Sequence, residues 1–284
     1  MLELYRYRGA RDFLATGQDW LTDREAEHNL ILGLGGALAR DDASGSGEGE
    51  PAYFATVSSG TDPVLAAMRT PQWNLLLSEV DDPAALSLLV DDLKGAALPG
   101  VTGPPEAARS FADLWVARHG GHHRDLMHER IYRLAQVTLP RAADGAARRA
   151  TAADRPLLAE WVVAFHEEAL PSEADRARRG IADWDPETGR QFWLWEDRGG
   201  PVSLVGAGNP TPRGMRIGPV YTPPDLRGRG YATSLTAFVS QRMLDEGRTF
   251  CFLYTDLANP TSNHIYQAIG YEPVSDALMI RLEG

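Results

Sequence analysis

The chain has few of the features that would assign it to an exported, membrane or metal-binding class. It contains one cysteine, Cys251, which excludes an intramolecular disulfide and any metal site built from several cysteines. Its longest apolar runs, such as Leu30–Leu34, stop far short of the roughly 20 residues that a membrane-spanning helix needs. The N-terminal Met1–Arg8 alternates apolar and polar residues and lacks the apolar core of a signal peptide.

Positive charge is also scarce. The 28 Lys and Arg residues stand against 39 Asp and Glu residues, which gives a net charge of −11. Nucleic acid is therefore a poor partner, because phosphate binding needs a basic surface. We expect a cytoplasmic protein that acts on small or cationic partners and has no membrane partner. A homodimer is one candidate assembly.

Length and composition favour two globular domains. The 284 residues are 43% hydrophobic and 24% charged, so each half can bury a core. Pro140–Ala147 is rich in small residues and carries Pro and Gly, which is typical of a linker. We predict domains at residues 1–140 and 148–284, joined by residues 141–147. The Gly/Ser/acid-rich Asp41–Glu50 predicts a flexible loop.

The periodicity of apolar residues predicts a similar order of elements in both halves: a strand, two helices, three strands and a helix. In the first half the predicted strands are Leu2–Tyr7, Ala52–Val57, Val64–Met68, Asn74–Val80 and Arg130–Leu139, and the helices are Ala10–Leu14, Asp23–Ala39, Pro83–Leu93 and Pro105–Ala117. In the second half the strands are Arg148–Ala150, Phe192–Glu196, Val202–Ala207, Met215–Tyr221, Phe250–Thr255, Tyr271–Val274 and Leu278–Leu282, and the helices are Arg155–Glu168, Ser172–Ala182, Gly230–Glu246 and Pro260–Ile269. A strand between the last two helices is predicted only in the second half. We interpret the chain as a tandem repeat of one α/β domain with a mixed sheet.

The stretch Gly218–Ser234 (GPVYTPPDLRGRGYATS) carries the most chemical information. It leaves a predicted strand, passes through a glycine-containing loop and enters a helix, which is an anion-binding arrangement because unpaired N–H groups and the helix dipole face the same point. Gly228 and Gly230 allow a diphosphate to approach the backbone closely, and Arg227 and Arg229 add positive charge. The stretch matches neither a P-loop nor a dinucleotide fingerprint. By itself, the pattern is also compatible with a glycine-rich turn that caps a helix.

A second motif follows, Asn259–Tyr271 (NPTSNHIYQAIGY). Together, Arg227-x-x-Gly230-x-Ala232 and this Asn, Tyr, Gly-aromatic pattern resemble the two signatures of the GNAT acyltransferase superfamily, in the same order and with a helix and a strand between them. The resemblance covers roughly residues 148–284. It implies two tandem GNAT-like domains, of which the first is degenerate, since its corresponding loop begins with the acidic Asp81-Asp82-Pro83.

The resemblance implies a role for each matching residue. Backbone groups of Val220, Tyr221 and Thr222 would pair with the pantetheine arm of acetyl-CoA, and Tyr266 would lie near its sulfur and protonate the departing thiolate. The implied acetyl-CoA-binding residues are Val220, Tyr221, Thr222, Arg227, Gly228, Arg229, Gly230, Tyr231, Ala232, Thr233, Asn259, Asn263 and Tyr266. Asn259 also fits as the N-cap of the helix that begins at Pro260, and Tyr266 also fits as a core aromatic.

The reaction implied is direct transfer of an acetyl group from acetyl-CoA to a primary amine of a small molecule or peptide, without a metal. No Glu occupies the strand Met215–Tyr221, where many relatives place their general base. Asp256, Glu196, Glu167 and Glu168 are the candidates, and a chain of water molecules is a further one. A non-catalytic acyl-CoA-binding regulator and a purely structural module remain as alternatives.

Two further features favour structural roles over chemical ones, and a third leaves both open. His119-Gly-Gly-His-His123, with His128, lacks the spacing of helical metal ligands and predicts a solvated loop. Cys251 lies in an apolar strand and predicts a core residue. Trp184 follows the second helix of the second half, where it lines an acceptor pocket or fills the core.

Overall fold

The computed structural model describes residues 1–41, 52–139, 141–182, 184–187 and 190–284. The loop predicted over Asp41–Glu50 therefore lies outside the described residues from position 42 onward, as does Pro140 of the predicted linker. The chain divides into two compact units: the first comprises Met1–Ile131, Tyr254–Asn259 and Pro273–Gly284, and the second comprises Tyr132–Leu253 and Pro260–Glu272. The C-terminal strand thus falls in the first unit, although it follows the second half in sequence. The division into functional domains at 1–140 and 148–284 stays a prediction.

The elements confirm a mixed α/β fold. The strands are β1 (Leu2–Arg6), β2 (Tyr53–Ser59), β3 (Asp62–Arg69), β4 (Leu75–Leu77), β5 (Gly100–Gly103), β6 (His122–Leu134), β7 (Ala146–Arg149), β8 (Gln191–Asp197), β9 (Gly200–Gly208), β10 (Gly214–Tyr221), β11 (Phe250–Asp256) and β12 (Glu272–Glu283). The α-helices are α1 (Ala10–Asp23), α2 (Asn29–Asp41), α3 (Ala85–Asp92), α4 (Pro105–His119), α5 (Arg155–Ala169), α6 (Ala174–Ala182), α7 (Tyr231–Asp245) and α8 (Pro260–Ile269).

In the first unit the strands follow the order β1-β2-β3-β4-β5-β12-β6. β4 and β5 are parallel, and β12 pairs antiparallel with β5. Successive residues of β3 face two different cores, as the period of a strand requires. Leu65 and Ala67 pack in the core that includes α3 and α4, and Ala66 and Met68 pack in the core of α1 and α2.

In the second unit the strands follow the order β11-β10-β9-β8-β7, with β10 and β11 parallel and the other neighbours antiparallel. α5 and α6 contribute to the core that contains Leu194 and Leu204. α7 and α8 contribute to the core that contains Val205 and Ile217. We refer to the two sides of this sheet as the α5/α6 face and the α7/α8 face.

The first half contains a strand that the sequence did not predict. β5 lies between α3 and α4, so the first half repeats the element order of the second half in full. Its four residues, Gly-Val-Thr-Gly, give little strand signal because glycine is disfavoured in strands. Packing requires the glycines: a Cβ at Gly100 would meet the carbonyl oxygen of Ile280, and one at Gly103 would lie 2.9 Å from the Cβ of Leu77.

Several other boundaries were predicted wrongly. The helices predicted at Ala10–Leu14 and Asp23–Ala39 are α1 (Ala10–Asp23) and α2 (Asn29–Asp41). β6 spans His122–Leu134 rather than Arg130–Leu139, so His122 and His123 belong to a strand and not to a loop. Their side chains are within ion-pair distance of Glu283 and Asp113, at 2.8 Å in each case. The two final strands predicted at Tyr271–Val274 and Leu278–Leu282 form the single strand β12. The predicted linker already pairs with the sheet at its end, because β7 begins at Ala146.

Among the described residues, no helix is long and apolar enough to cross a bilayer. The same residues contain no group of three or more His, Cys, Asp or Glu side chains arranged to hold a metal ion.

Candidate functional site

β10 pairs with its parallel neighbour β11 over only part of its length. Its register with β11 covers only Gly214–Arg216 against Phe250–Phe252, yet β10 continues to Tyr221. In the same stretch its register with β9 shifts between Ile217 and Val220. Within the described residues, the β11-facing edge of β10 therefore has no registered partner beyond Arg216. An unpaired strand edge of this kind can accept an extended ligand that carries amide groups.

A short loop joins this edge to α7. After Tyr221 the chain makes a single 3₁₀ turn, Pro224–Leu226, and then passes through two glycines in the left-handed region, Gly228 at φ +77° and Gly230 at φ +81°. Gly230 is the N-cap of α7 and supplies no side chain to the first N–H groups of the helix. An uncapped helix N-terminus presents these N–H groups and the positive end of the helix dipole to an anion.

Both arginines of the loop bind protein atoms in this structure. The guanidinium of Arg227 donates from Nη2 to both carboxylate oxygens of Glu168 on α5, at 3.0 and 2.7 Å, and from Nε to the carbonyl oxygen of Thr222, at 2.8 Å. Arg229 donates from Nη2 to the carbonyl oxygen of Asp225, at 3.1 Å. The two side chains thus hold the shape of the loop, and their role toward a diphosphate stays a prediction.

The first turn of α7 is anchored on both sides. The hydroxyl of Tyr231 donates to a carboxylate oxygen of Asp197, at 2.6 Å, and the hydroxyl of Ser234 accepts the backbone N–H of Ala143, at 2.8 Å. Ala143 belongs to the predicted linker, and its methyl group is the nearest heavy atom, at 3.8 Å, to a Cβ placed on Gly230. Ala232 and Thr233 lie in the same turn. Neither contact could be predicted from the sequence, because the partners are distant along the chain.

Tyr266 of α8 is buried, with 7% of its surface exposed, in the α7/α8-face core that also contains Met215 and Ile217 of β10. Its ring packs against Tyr132 and Tyr271, at centroid distances of 6.5 and 5.9 Å. Burial raises the pKa of the Tyr266 hydroxyl to about 12. Among the described residues, none forms a hydrogen bond with this hydroxyl.

The two asparagines of the second motif differ in their surroundings. Asn263 accepts a hydrogen bond at Oδ1 from the hydroxyl of the fully buried Tyr132, at 3.0 Å, a contact that the sequence did not reveal. Asn259 precedes α8, lies in a segment of the first unit, and donates its backbone N–H to the carbonyl oxygen of Asp256, at 3.0 Å. Their contact with a cofactor stays a prediction.

The candidate general bases are engaged in ion pairs or backbone hydrogen bonds. Glu168 binds Arg227 as described above, Glu167 lies 3.5 Å from Arg178, and Glu196 accepts from Arg148 at 2.7 Å. A carboxylate oxygen of Asp256 accepts the backbone N–H of Ala258, at 2.8 Å.

Trp184 and Cys251 are both core residues. Trp184 is 5% exposed, packs against Phe192 in the α5/α6-face core and donates its indole N–H to the carbonyl oxygen of Arg190, at 2.7 Å. Cys251 is fully buried, as predicted, and burial raises the pKa of its thiol to about 12. A thiol held protonated in this way is inert as a nucleophile.

The corresponding position of the first unit is built differently. The segment after β4 carries Asp81 and Asp82, and a carboxylate oxygen of Asp82 accepts the backbone N–H of Ala84, at 2.9 Å. The backbone N–H of Glu79, two residues after β4, donates to Nε2 of the buried His28, at 3.1 Å. The N–H group of Glu79 is therefore already hydrogen-bonded within the protein and is not available to a ligand.

Part of the chain matches a protein family, and its fold is similar to that of solved structures. Residues 155–271 match the model of the acetyltransferase (GNAT) family. Among solved structures, a Drosophila protein superposes with a TM-score of 0.70 at 12% identity, covering 98% of each chain. A GCN5-related N-acetyltransferase from Kribbella flavida superposes with a TM-score of 0.58 at 19% identity, covering 78% of this chain and 87% of that one. A GCN5-related N-acetyltransferase from Sphaerobacter thermophilus gives 0.57 at 18% identity, covering 99% and 95%. No curated protein sequence matches the chain significantly.

Proposed function

We propose that the second unit, in which residues 155–271 match the model of the acetyltransferase (GNAT) family, transfers an acetyl group from acetyl-CoA to a primary amine. The observation that carries the proposal is the continuous path from the unpaired edge of β10, through the loop with two left-handed glycines, to the uncapped N-terminus of α7. The path offers amide partners for a pantetheine arm and N–H donors for a diphosphate, in that order along the chain.

Acetyl-CoA then binds in two parts. Its diphosphate meets the N–H groups of the first turn of α7, where Gly228 and Gly230 leave the backbone open. Its arm runs along Val220–Thr222. The acetyl thioester therefore lies along β10 near its register shift, on the side of the core that contains Tyr266.

The chemical step is a direct transfer. The nitrogen of a neutral amine bonds to the acetyl carbon, a backbone N–H of β10 stabilises the oxyanion, and the carbon–sulfur bond breaks. Tyr266 gives its proton to the departing thiolate and regains one from the amine nitrogen through water. A hydroxyl with a pKa of about 12 can do this because burial beside it would also raise the pKa of the departing thiol.

One observation favours a second candidate, a non-catalytic acyl-CoA-binding regulator. β10 carries no carboxylate residue, and three of the four candidate bases are within ion-pair distance of arginines. A water molecule can accept the proton of an amine in place of a fixed base, so the acetyltransferase remains the first candidate.

One experiment distinguishes the acetyltransferase from the non-catalytic regulator. Acetyl-CoA is first titrated into the full chain by calorimetry, and release of free thiol is then followed across a panel of primary amines. An acetyltransferase binds acetyl-CoA and releases thiol only when an acceptor amine is present. Binding without thiol release for any amine would indicate the regulator, and absence of binding would refute both.

A further inference from the structure

Tyr266 lies on α8 between two other tyrosines. Its ring centroid is 6.5 Å from that of Tyr132 on β6 and 5.9 Å from that of Tyr271, which directly precedes β12. All three rings belong to the α7/α8-face core, and Tyr132 and Tyr271 are only 1% and 2% exposed. Burial of apolar surface has no directional preference. Packing alone therefore does little to fix the rotation of α8 about its own axis.

The hydroxyl of Tyr132 supplies a directional contact. It donates to Oδ1 of Asn263 at 3.0 Å, and it accepts a longer hydrogen bond from Nε2 of Gln267 at 3.4 Å. Residues four apart lie on the same face of a helix, one turn from each other. One buried hydroxyl thus binds two successive turns of α8, on either side of Tyr266 in sequence. Because hydrogen bonds depend on angle as well as on distance, this contact resists rotation of α8.

Tyr271 offers a comparison within the same core. Its ring contacts the ring of Tyr266, as the ring of Tyr132 does. Its hydroxyl shares a hydrogen bond with Oγ of Ser240 on α7, at 2.8 Å. The two tyrosines therefore differ in the helix that each hydroxyl binds, and of the two only Tyr132 binds the helix that carries Tyr266.

The position of α8 matters for the proposed reaction. A general acid must come within hydrogen-bond distance of the atom that it protonates, and a misplacement of about 1 Å can lower a rate on the order of a hundredfold. Since no described residue binds the Tyr266 hydroxyl, its position depends on α8 and on the packing of its ring. This hydroxyl lies at the end of a long side chain, so a small rotation of α8 moves it further than it moves the backbone.

We propose that Tyr132 is a positioning residue for the transfer, and that its hydroxyl holds α8 in the rotation that directs Tyr266 towards the thioester. The inference rests on the proposed function, in which Tyr266 is the acid. Tyr132 itself neither gives nor takes a proton in the reaction. Its substitution therefore acts on the rate only through Tyr266, which separates positioning from a general loss of packing.

The test compares Tyr132→Phe with Tyr271→Phe. Each substitution keeps a buried ring against Tyr266 and removes one hydroxyl with its hydrogen bonds. We expect kcat, measured as thiol release at saturating acetyl-CoA, to fall about tenfold or more in Tyr132→Phe and to stay near wild type in Tyr271→Phe. The affinity for acetyl-CoA, measured by calorimetry, should be unchanged in both. Unchanged kcat in Tyr132→Phe, or an equal loss in Tyr271→Phe, would overturn the inference.

A double variant shows whether Tyr132 acts through Tyr266. Once the Tyr266 hydroxyl is removed, its position no longer affects the rate, so the effects of the two substitutions should not add. The variant with both Tyr132→Phe and Tyr266→Phe should therefore have the same kcat as Tyr266→Phe alone. A further fall as large as that in Tyr132→Phe alone would show that Tyr132 acts on something other than Tyr266 and would contradict the proposal.

A second variant covers the case in which Tyr132→Phe fails to fold. Asn263→Ala removes the same hydrogen bond from the side of α8. At saturating acetyl-CoA it should lower kcat to a similar extent in the wild-type background and have no effect in the Tyr266→Phe background. Unchanged kcat, or an equal loss in both backgrounds, would overturn the inference.

Failure of the proposed function gives a different pattern. A chain that transfers no acetyl group, or in which Tyr266→Phe turns over at the wild-type rate, refutes the role of Tyr266 as the acid. Amide hydrogen exchange of α8 in the free protein then compares the same two tyrosine variants. Exchange about tenfold faster in Tyr132→Phe than in Tyr271→Phe supports the anchoring of α8 by Tyr132, and equal rates overturn it.

Discussion

Replacing Gly230 with glutamate should weaken acetyl-CoA binding far more than it weakens the fold. Gly230 caps α7 at φ +81°, and a Cβ there would meet only Ala143, at 3.8 Å. The left-handed conformation costs a non-glycine residue roughly 1–2 kcal/mol. A carboxylate at a helix N-terminus stabilises the fold by about 0.3–1 kcal/mol, so the free energy of unfolding should fall by a net amount of about 1 kcal/mol.

The same carboxylate occupies the position proposed for the diphosphate. It competes for the same N–H groups and repels a like charge, so the affinity for acetyl-CoA should fall at least tenfold, or about 1.4 kcal/mol. Calorimetry measures the affinity and thermal unfolding measures the stability of Gly230→Glu.

Gly60→Glu is the matched control. Gly60 lies in the turn between β2 and β3 at φ +65°, with no heavy atom within 4 Å of its Cβ position. It therefore receives the same charge and similar strain in the first unit. Unchanged acetyl-CoA affinity in Gly230→Glu, or an equal loss in Gly60→Glu, would refute the placement of the diphosphate.

Three further predictions concern other parts of the chain. Tyr266→Phe should lower kcat on the order of a hundredfold with acetyl-CoA affinity unchanged, whereas Tyr271→Phe, which removes a hydrogen bond to Ser240, should lower only stability; near wild-type turnover in Tyr266→Phe would make Tyr266 a packing residue. Burial lowers the pKa of His28 to about 4 from 6.5, so the unfolded state binds the extra proton between these values and the free energy of unfolding should fall by about 3 kcal/mol as pH drops from 6.5 to 4. Denaturant titrations of His28→Gln should lack this component, and identical pH slopes in the two proteins would contradict it. Calorimetric titration of the full chain should give one acetyl-CoA per chain, and a stoichiometry near two would show that the first unit also binds it.

Local chemistry explains what the sequence could predict. Gly228 and Gly230 lie between a strand and a helix and both adopt a left-handed φ. Glycine adopts this conformation readily because it has no Cβ. The helix after Gly230 and the core position of Cys251 follow from apolar periodicity in the same way.

Long-range pairing explains what it could not predict. The ion pair of Arg227 with Glu168 joins residues 59 positions apart, and nothing near Arg227 indicates it. β12 pairs with β5 across more than half of the chain, and the four-residue β5 has glycine at both ends. Tyr132 belongs to β6 as an ordinary strand residue, and only the packing of α8 places its hydroxyl beside Asn263.

The most direct measurement of the central claim follows the acetyl group itself. The full chain is incubated with acetyl-CoA labelled with ¹³C in the acetyl group and a mixed pool of primary amines, and mass spectrometry quantifies the labelled products against the thiol released. The proposed function predicts labelled N-acetyl amine in an amount equal to the thiol. Thiol released with labelled acetate instead, or no label transferred to any amine by a chain that binds acetyl-CoA, would contradict it.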